Sequence, residues 1–143
     1  MVAFPLDRLL RLWSEPLGAR AEDAFGELYA DPVTVNGTSM PVAGIVARAR
    51  TMQATYADRR MDVLDLVETP ERVVVAFRMS GRHIGPLETP LGTVPPTGRF
   101  VEMRTIDVLA LSGGRVSSIW VVADELGMLT QLGAVRVDPT YED

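Results

Sequence analysis

Two carboxylates stand where an apolar core is expected. In IDVLALSGGRVSSIWVVADELGML (residues 106–129), Asp107 lies one residue into the first apolar run and Asp124 closes the second. A carboxyl taken out of water without a partner is held towards its neutral form, and two coupled carboxyls can divide into one acid and one base. That is the chemistry of proton transfer to and from an organic substrate near neutral pH. Each residue also has a structural alternative. Asp124 precedes ELGML and can cap a helix; Asp107 can pair with Arg104. Two more polar residues could orient a substrate oxygen or a water. His83, the single histidine, ends a strand and shares parity with Phe77 and Met79, and Asn36 sits in the turn-like NGT. Their alternatives are a structural core histidine and an ordinary turn residue.

The elements that must position these side chains follow from periodicity. Leu6, Leu9, Leu10 and Trp13 are spaced as a helix, ended by Pro16 and Gly18. Ala21, Ala24, Phe25, Leu28 and Tyr29 predict a second helix to about Ala30, stopped by Pro32. VTVNG reads as a short strand and turn, and AGIVARARTMQATYADRR as a third helix with Ile45, Ala49, Met52 and Tyr56 inward. Then the period changes. MDVLDLVETPERVVVAFRMSGRH predicts two strands about Thr69, Pro70 and Glu71. The Pro- and Gly-rich IGPLETPLGTVPPTG reads as a loop forming part of a cavity rim. The next segment predicts a hairpin about Gly113 and Gly114, and ELGMLTQLG a closing helix.

Helices followed by long antiparallel strands make an α+β fold. The strands are apolar on both parities, so helices should cover one face and a second copy of the chain the other, giving a homodimer. Side chains alternate along a strand. Met103, Thr105, Asp107, Leu109 and Leu111 therefore share one face, as do Ser118, Trp120, Val122 and Asp124. With the helix-covered faces matched, Asp107 and Asp124 look into one cavity beside Trp120. Met103, Phe77, Met52 and Tyr56 are expected to shape that cavity around a hydrophobic small molecule.

Composition narrows the function classes. The 143 residues suit a single domain over 1–143, and a net charge of -5 argues against a nucleic-acid partner. With no Cys and one His, neither thiol chemistry nor a zinc site is expected. Charges at Asp7, Arg8 and Arg11 break up the N-terminus as a signal peptide, and no run approaches a membrane span. A cytoplasmic location, away from the membrane, is the expectation.

The C-terminal half resembles the SnoaL-like polyketide cyclases. The resemblance rests on His83 and Gly85, Pro95 to Gly98, Ile106–Asp107, Gly114 to Trp120, Asp124, and Leu126 to Gly133. It implies a nuclear transport factor-like cone, a curved antiparallel sheet wrapped around N-terminal helices over a deep pocket. It also implies an intramolecular aldol closure without metal or organic cofactor, with Asp124 as the acid/base. Ile119 stands where many relatives carry His. The limonene epoxide hydrolases are a second resemblance on the same fold. Asn36 falls at their water-binding Asn, and Asp107 and Asp124 at their two catalytic Asp positions. Thr34 replaces their Tyr and Thr105 their Arg. The expected function is a cyclase of a natural-product pathway with Asp124 and Asp107 catalytic. Epoxide opening is the alternative, and a non-catalytic small-molecule binder the second alternative.

Overall fold

In the computed structural model, which describes residues 3–139, three helices lie against the inner face of one long-stranded sheet. The helices are α1 (Leu6–Ser14), α2 (Ala21–Gly26) and α3 (Val42–Thr55). Among the described residues, a six-stranded sheet runs β2 (Thr38–Met40), β1 (Tyr29–Val35), β8 (Arg115–Ala123), β7 (Phe100–Ser112), β4 (Arg72–His83), β3 (Tyr56–Glu68). All neighbours are antiparallel except β1 and β8. Helix α4 (Glu125–Gln131) closes one end. This is the α+β architecture with a curved sheet that the sequence predicts.

Burial follows the alternation. Along β4, Val73, Val75, Phe77 and Met79 are buried on the helix side. Leu6, Leu9 and Leu10 of α1 and Ile45, Val46 and Ala49 of α3 pack opposite them in the same core. Each of the larger side chains among them, fully buried, contributes about 1.5–3 kcal/mol of apolar transfer. Phe25 is fully buried between Trp13, edge-on at 5.8 Å, and Tyr29, stacked at 5.8 Å. That aromatic trio fixes α1 and α2 to the start of β1.

Several boundaries differ from expectation. The second helix ends at Gly26, and Tyr29 already belongs to β1, where it pairs with Val116. Gly26 is a poor helix former, and the strand ladder offers the following residues better partners. Helix α3 ends at Thr55, so Tyr56 is a strand residue, opposite His83. The Pro-rich segment is not all loop: β5 (Leu87–Thr89) and β6 (Gly92–Val94) form a small hairpin within it. No helix among the described residues is long and apolar enough to cross a membrane.

One irregularity decides the site. Beyond the Gly113–Gly114 turn, Ser112 pairs with Arg115 and Leu111 with Val116, but Ala110 then pairs with Ser118. One extra residue of β8 is absorbed there, a β-bulge, with the Ser117 hydroxyl donating to the Ala110 carbonyl at 3.2 Å. A one-residue slip exchanges the faces of everything beyond it. Asp107 thus faces Val121, whereas the unbulged register would have set it opposite Trp120.

Candidate active site

Between the helices and the inner sheet face lies a cavity of about 180 Å³. Leu9, Leu10 and Trp13 of α1 and Ile45, Arg48 and Met52 of α3 form one wall. The sheet supplies Tyr29, Val35, Met61, Phe77, Met79, Met103, Thr105, Asp107, Leu109, Ile119, Val121 and Ala123. Met61, Met79 and Met103 stand abreast on three neighbouring strands. Such unbranched, polarisable side chains make a wall that adapts to irregular apolar shapes.

Asp107 is the carboxyl of this cavity. Its position in mid-strand leaves it no turn or helix end to satisfy, and among the described residues its Oδ1 is buried without a hydrogen-bond partner. Burial pushes the Asp107 carboxyl from 3.8 up to about 7. At neutral pH it is therefore poised between acid and base. Tyr29 and Trp13 lie on the same cavity. The Trp13 indole N–H donates to the Tyr29 hydroxyl at 2.8 Å. Burial raises the Tyr29 phenol above its ordinary value, the bond from Trp13 opposes this, and the nearby Asp107 adds to it. Tyr29 is accordingly a neutral donor. Its oxygen accepts from Trp13, which leaves its own proton for another acceptor.

Of the residues expected to bind substrate, Met52, Phe77, Met103 and Thr105 line this cavity together with Asp107. The others lie elsewhere. Asp124, expected beside Asp107, caps α4: its Oδ1 accepts from the Gly127 N–H at 3.0 Å and its Oδ2 from the Arg104 guanidinium at 3.4 Å. A Cβ at position 127 would stand 2.4 Å from the Asp124 carboxylate, so glycine lets the cap close. Arg104 belongs to the outer face, and Asp124 goes with it. Trp120 is 60% exposed on that outer face, because the bulge reversed its parity.

Asn36 is a turn residue at φ 48° whose amide is spent on the backbone of one residue. Its Oδ1 accepts from the Val121 N–H at 2.9 Å and its Nδ2 donates to the Val121 carbonyl at 3.3 Å. Thr34 alternates with the buried Val33 and Val35 and points away from the cavity. The water-holding set expected from the epoxide hydrolase resemblance is therefore not assembled. Tyr56 is buried beneath α4, its hydroxyl donating to the Met128 sulfur at 3.0 Å; burial, then Glu125, raises its phenol to about 12.

His83 is fully buried outside the cavity lining. Its Nδ1 accepts from the Thr97 N–H at 3.2 Å and lies 3.0 Å from the Thr97 hydroxyl, so the ring ties down the Pro-rich segment. Two residues on, a Cβ at Gly85 would stand 2.2 Å from the Ala54 carbonyl, which is why the His-x-Gly pattern needs its glycine. A more open depression lies at the opposite end, between Phe4, Pro70 and Gly113, with Glu68 as its one ionisable lining residue.

Tyr29, Trp13 and Arg48 were not among the expected site residues. The first two read as core aromatics. Arg48 carried a usable signal: a charge three residues after Ile45 and four before Met52, on the apolar stripe of α3.

The chain is similar to solved structures over nearly its whole length. TsrD from Streptomyces laurentii is 24% identical, with a TM-score of 0.77 over 91% of this chain and 92% of that one. A candidate polyketide cyclase from Acidithiobacillus ferrooxidans is 26% identical, with a TM-score of 0.74 over 90% and 91%. IdmH from Streptomyces antibioticus, also a candidate polyketide cyclase, is 24% identical, with a TM-score of 0.70 over 90% and 95%. No curated protein matches the sequence. The family model for SnoaL-like polyketide cyclases matches residues 7–132, and the chain belongs to that family.

Proposed function

We propose that the chain catalyses an intramolecular, acid/base cyclisation of a polyketide-like small molecule, with Asp107 as the group that moves the proton. The observation that carries this reading is the Asp107 carboxyl itself: half-buried, with an Oδ1 that is buried and unpartnered, and facing an otherwise largely apolar cavity. A structural carboxylate would have found a cation or a helix end, as Asp124 has. Membership of the cyclase family supports the reaction class.

The reaction needs few parts. As carboxylate, Asp107 takes a proton from a carbon flanked by carbonyls. The resulting enolate carbon attacks a ketone carbon of the same molecule; the new C–C bond forms as the C=O π bond opens. The alkoxide then takes the proton back from Asp107, so the product is an isomer of the substrate. Tyr29, oriented by Trp13, donates to the oxygen on which negative charge gathers. Phe77, Met103 and Met52 hold the chain folded, so that the reacting carbons meet without an entropic search.

The test is turnover of a poly-β-ketone substrate by wild type and Asp107→Asn. The variant should lose about 10²- to 10⁴-fold in kcat while still binding a product-like ligand. A folded variant with wild-type turnover would instead favour a binding protein.

A further inference from the structure

The cavity has a second ionisable group with no partner of its own. Arg48 lines it from α3, yet the residue is exposed, so its side chain reaches from solvent to the cavity mouth. Among the described residues, the ion pairs join Arg8 to Glu27, Arg60 to Asp62, Arg82 to Asp58 and Arg104 to Asp124, none of them involving Arg48. Nor does Arg48 donate a hydrogen bond there. Neighbouring arginines are employed: Arg50 donates to the Gly18 carbonyl, and Arg59 to the carbonyls of Trp13, Tyr56 and Glu15. On a chain of net charge -5, a guanidinium left free at the apolar cavity that Asp107 also lines calls for an anion.

We infer that Arg48 is a specificity residue that seats a carboxylate carried by the substrate at the cavity mouth, while the reacting carbons lie deeper beside Asp107. The inference rests on the cyclisation reading for what happens at the deep end. Size supports the division. A cavity of about 180 Å³ is close to the roughly 150 Å³ that holds one benzene ring, so a larger substrate must leave part of itself at the mouth. Charge supports it as well. Among the described residues no ion pair joins Arg48 to Asp107, so the guanidinium does not neutralise that carboxyl. The two groups mark opposite ends of one amphiphile: an apolar, carbonyl-bearing head and an anionic tail. A guanidinium fork meets a carboxylate through two parallel N–H···O bonds, which lysine reproduces only as a point charge.

Calorimetric titration with 4-phenylbutanoate and its neutral counterpart 4-phenylbutanamide tests this. Wild type should bind the acid about tenfold more tightly than the amide, a preference that weakens with salt. Arg48→Gln should bind the two alike, and Arg48→Lys should keep part of the preference. Equal binding of acid and amide by wild type, binding of neither at millimolar concentration, or a preference that survives Arg48→Gln overturns the assignment. Circular dichroism confirms folding; an exposed helical position tolerates all three side chains. Failure of the cyclisation reading is separable. Asp107→Asn with full turnover would remove that reading and leave the acid preference standing.

Discussion

Asp107 faces Val121 across the β7–β8 hairpin, and this pairing places the carboxyl within an apolar cavity rather than beside the Trp120 indole. The consequences are measurable at both ends of the strand pair.

For Asp107, stability and activity should move in opposite directions. Its carboxyl ionises near its ordinary value in the unfolded chain but only near pH 7 in the fold. Between those values the folded state binds more protons, so the favourable contribution is complete below about pH 4 and is lost as pH rises through 7. The displacement from 3.8 to about 7 caps the effect at about 4 kcal/mol. Asp107→Asn should therefore melt higher than wild type at pH 8, with the gap closing towards pH 4. Scanning calorimetry at the two pH values measures it. In wild type, kcat/KM should rise with pH to a plateau with its midpoint near 7, since the first step needs the carboxylate. A flat profile from pH 5 to 9 would count against Asp107 as the base.

Asp124 should matter for the end of the fold and not for turnover. Asp124→Ala removes the cap on Gly127 and the bond from Arg104, at a cost of about 1 kcal/mol. Asp124→Asn keeps the cap and should be close to neutral. Chemical denaturation gives the first value. A loss of kcat in the folded Asn variant as large as that of Asp107→Asn would return the acid/base role to Asp124.

Tyr29→Phe removes the donor aimed at the cavity and leaves the Trp13 N–H without its acceptor. Loss of a donor to a developing oxyanion costs about 10²- to 10³-fold in kcat, with KM less affected. Trp13→Phe keeps Tyr29 and should cost less. Steady-state kinetics on the two variants settles the order, and equal losses would mean that Trp13 does more than orient the phenol.

We expect a homodimer formed through the outer sheet face. There Ile106 pairs with Val122 and Val108 with Trp120, next to Ala76 and Val74 of β4. Trp120 is 60% and Val122 74% exposed, and contiguous exposed apolar side chains of this kind mark a protein contact surface. Light scattering should give twice the chain mass at micromolar concentration, and Val122→Glu should give the single mass. A wild-type monomer removes the proposal.

Much of this protein could be read along the chain. The period of 3.6 in Leu6–Leu9–Leu10–Trp13 and the period of 2 in Val73–Val75–Phe77 are local properties, set by which side chains must leave water, and they led to helices packed on a long-stranded sheet. The same parity put Met103, Thr105 and Asp107 on one inner face, where the structure has them. What lay out of reach was pairing between segments. β8 is apolar on both parities after Ser118, so its own pattern cannot tell which face is inner. The bulge at Ser117 and Ser118 settles that through the ladder to Ala110, and it turns Trp120 and Val122 outward. Asn36 and His83 were legible as polar residues in apolar surroundings, but their partners, Val121 and Thr97, lie 85 and 14 residues away. Tyr29, Trp13 and Arg48 meet Asp107 around one cavity only because α1, α3 and the sheet fold over it, a juxtaposition that no local spacing encodes.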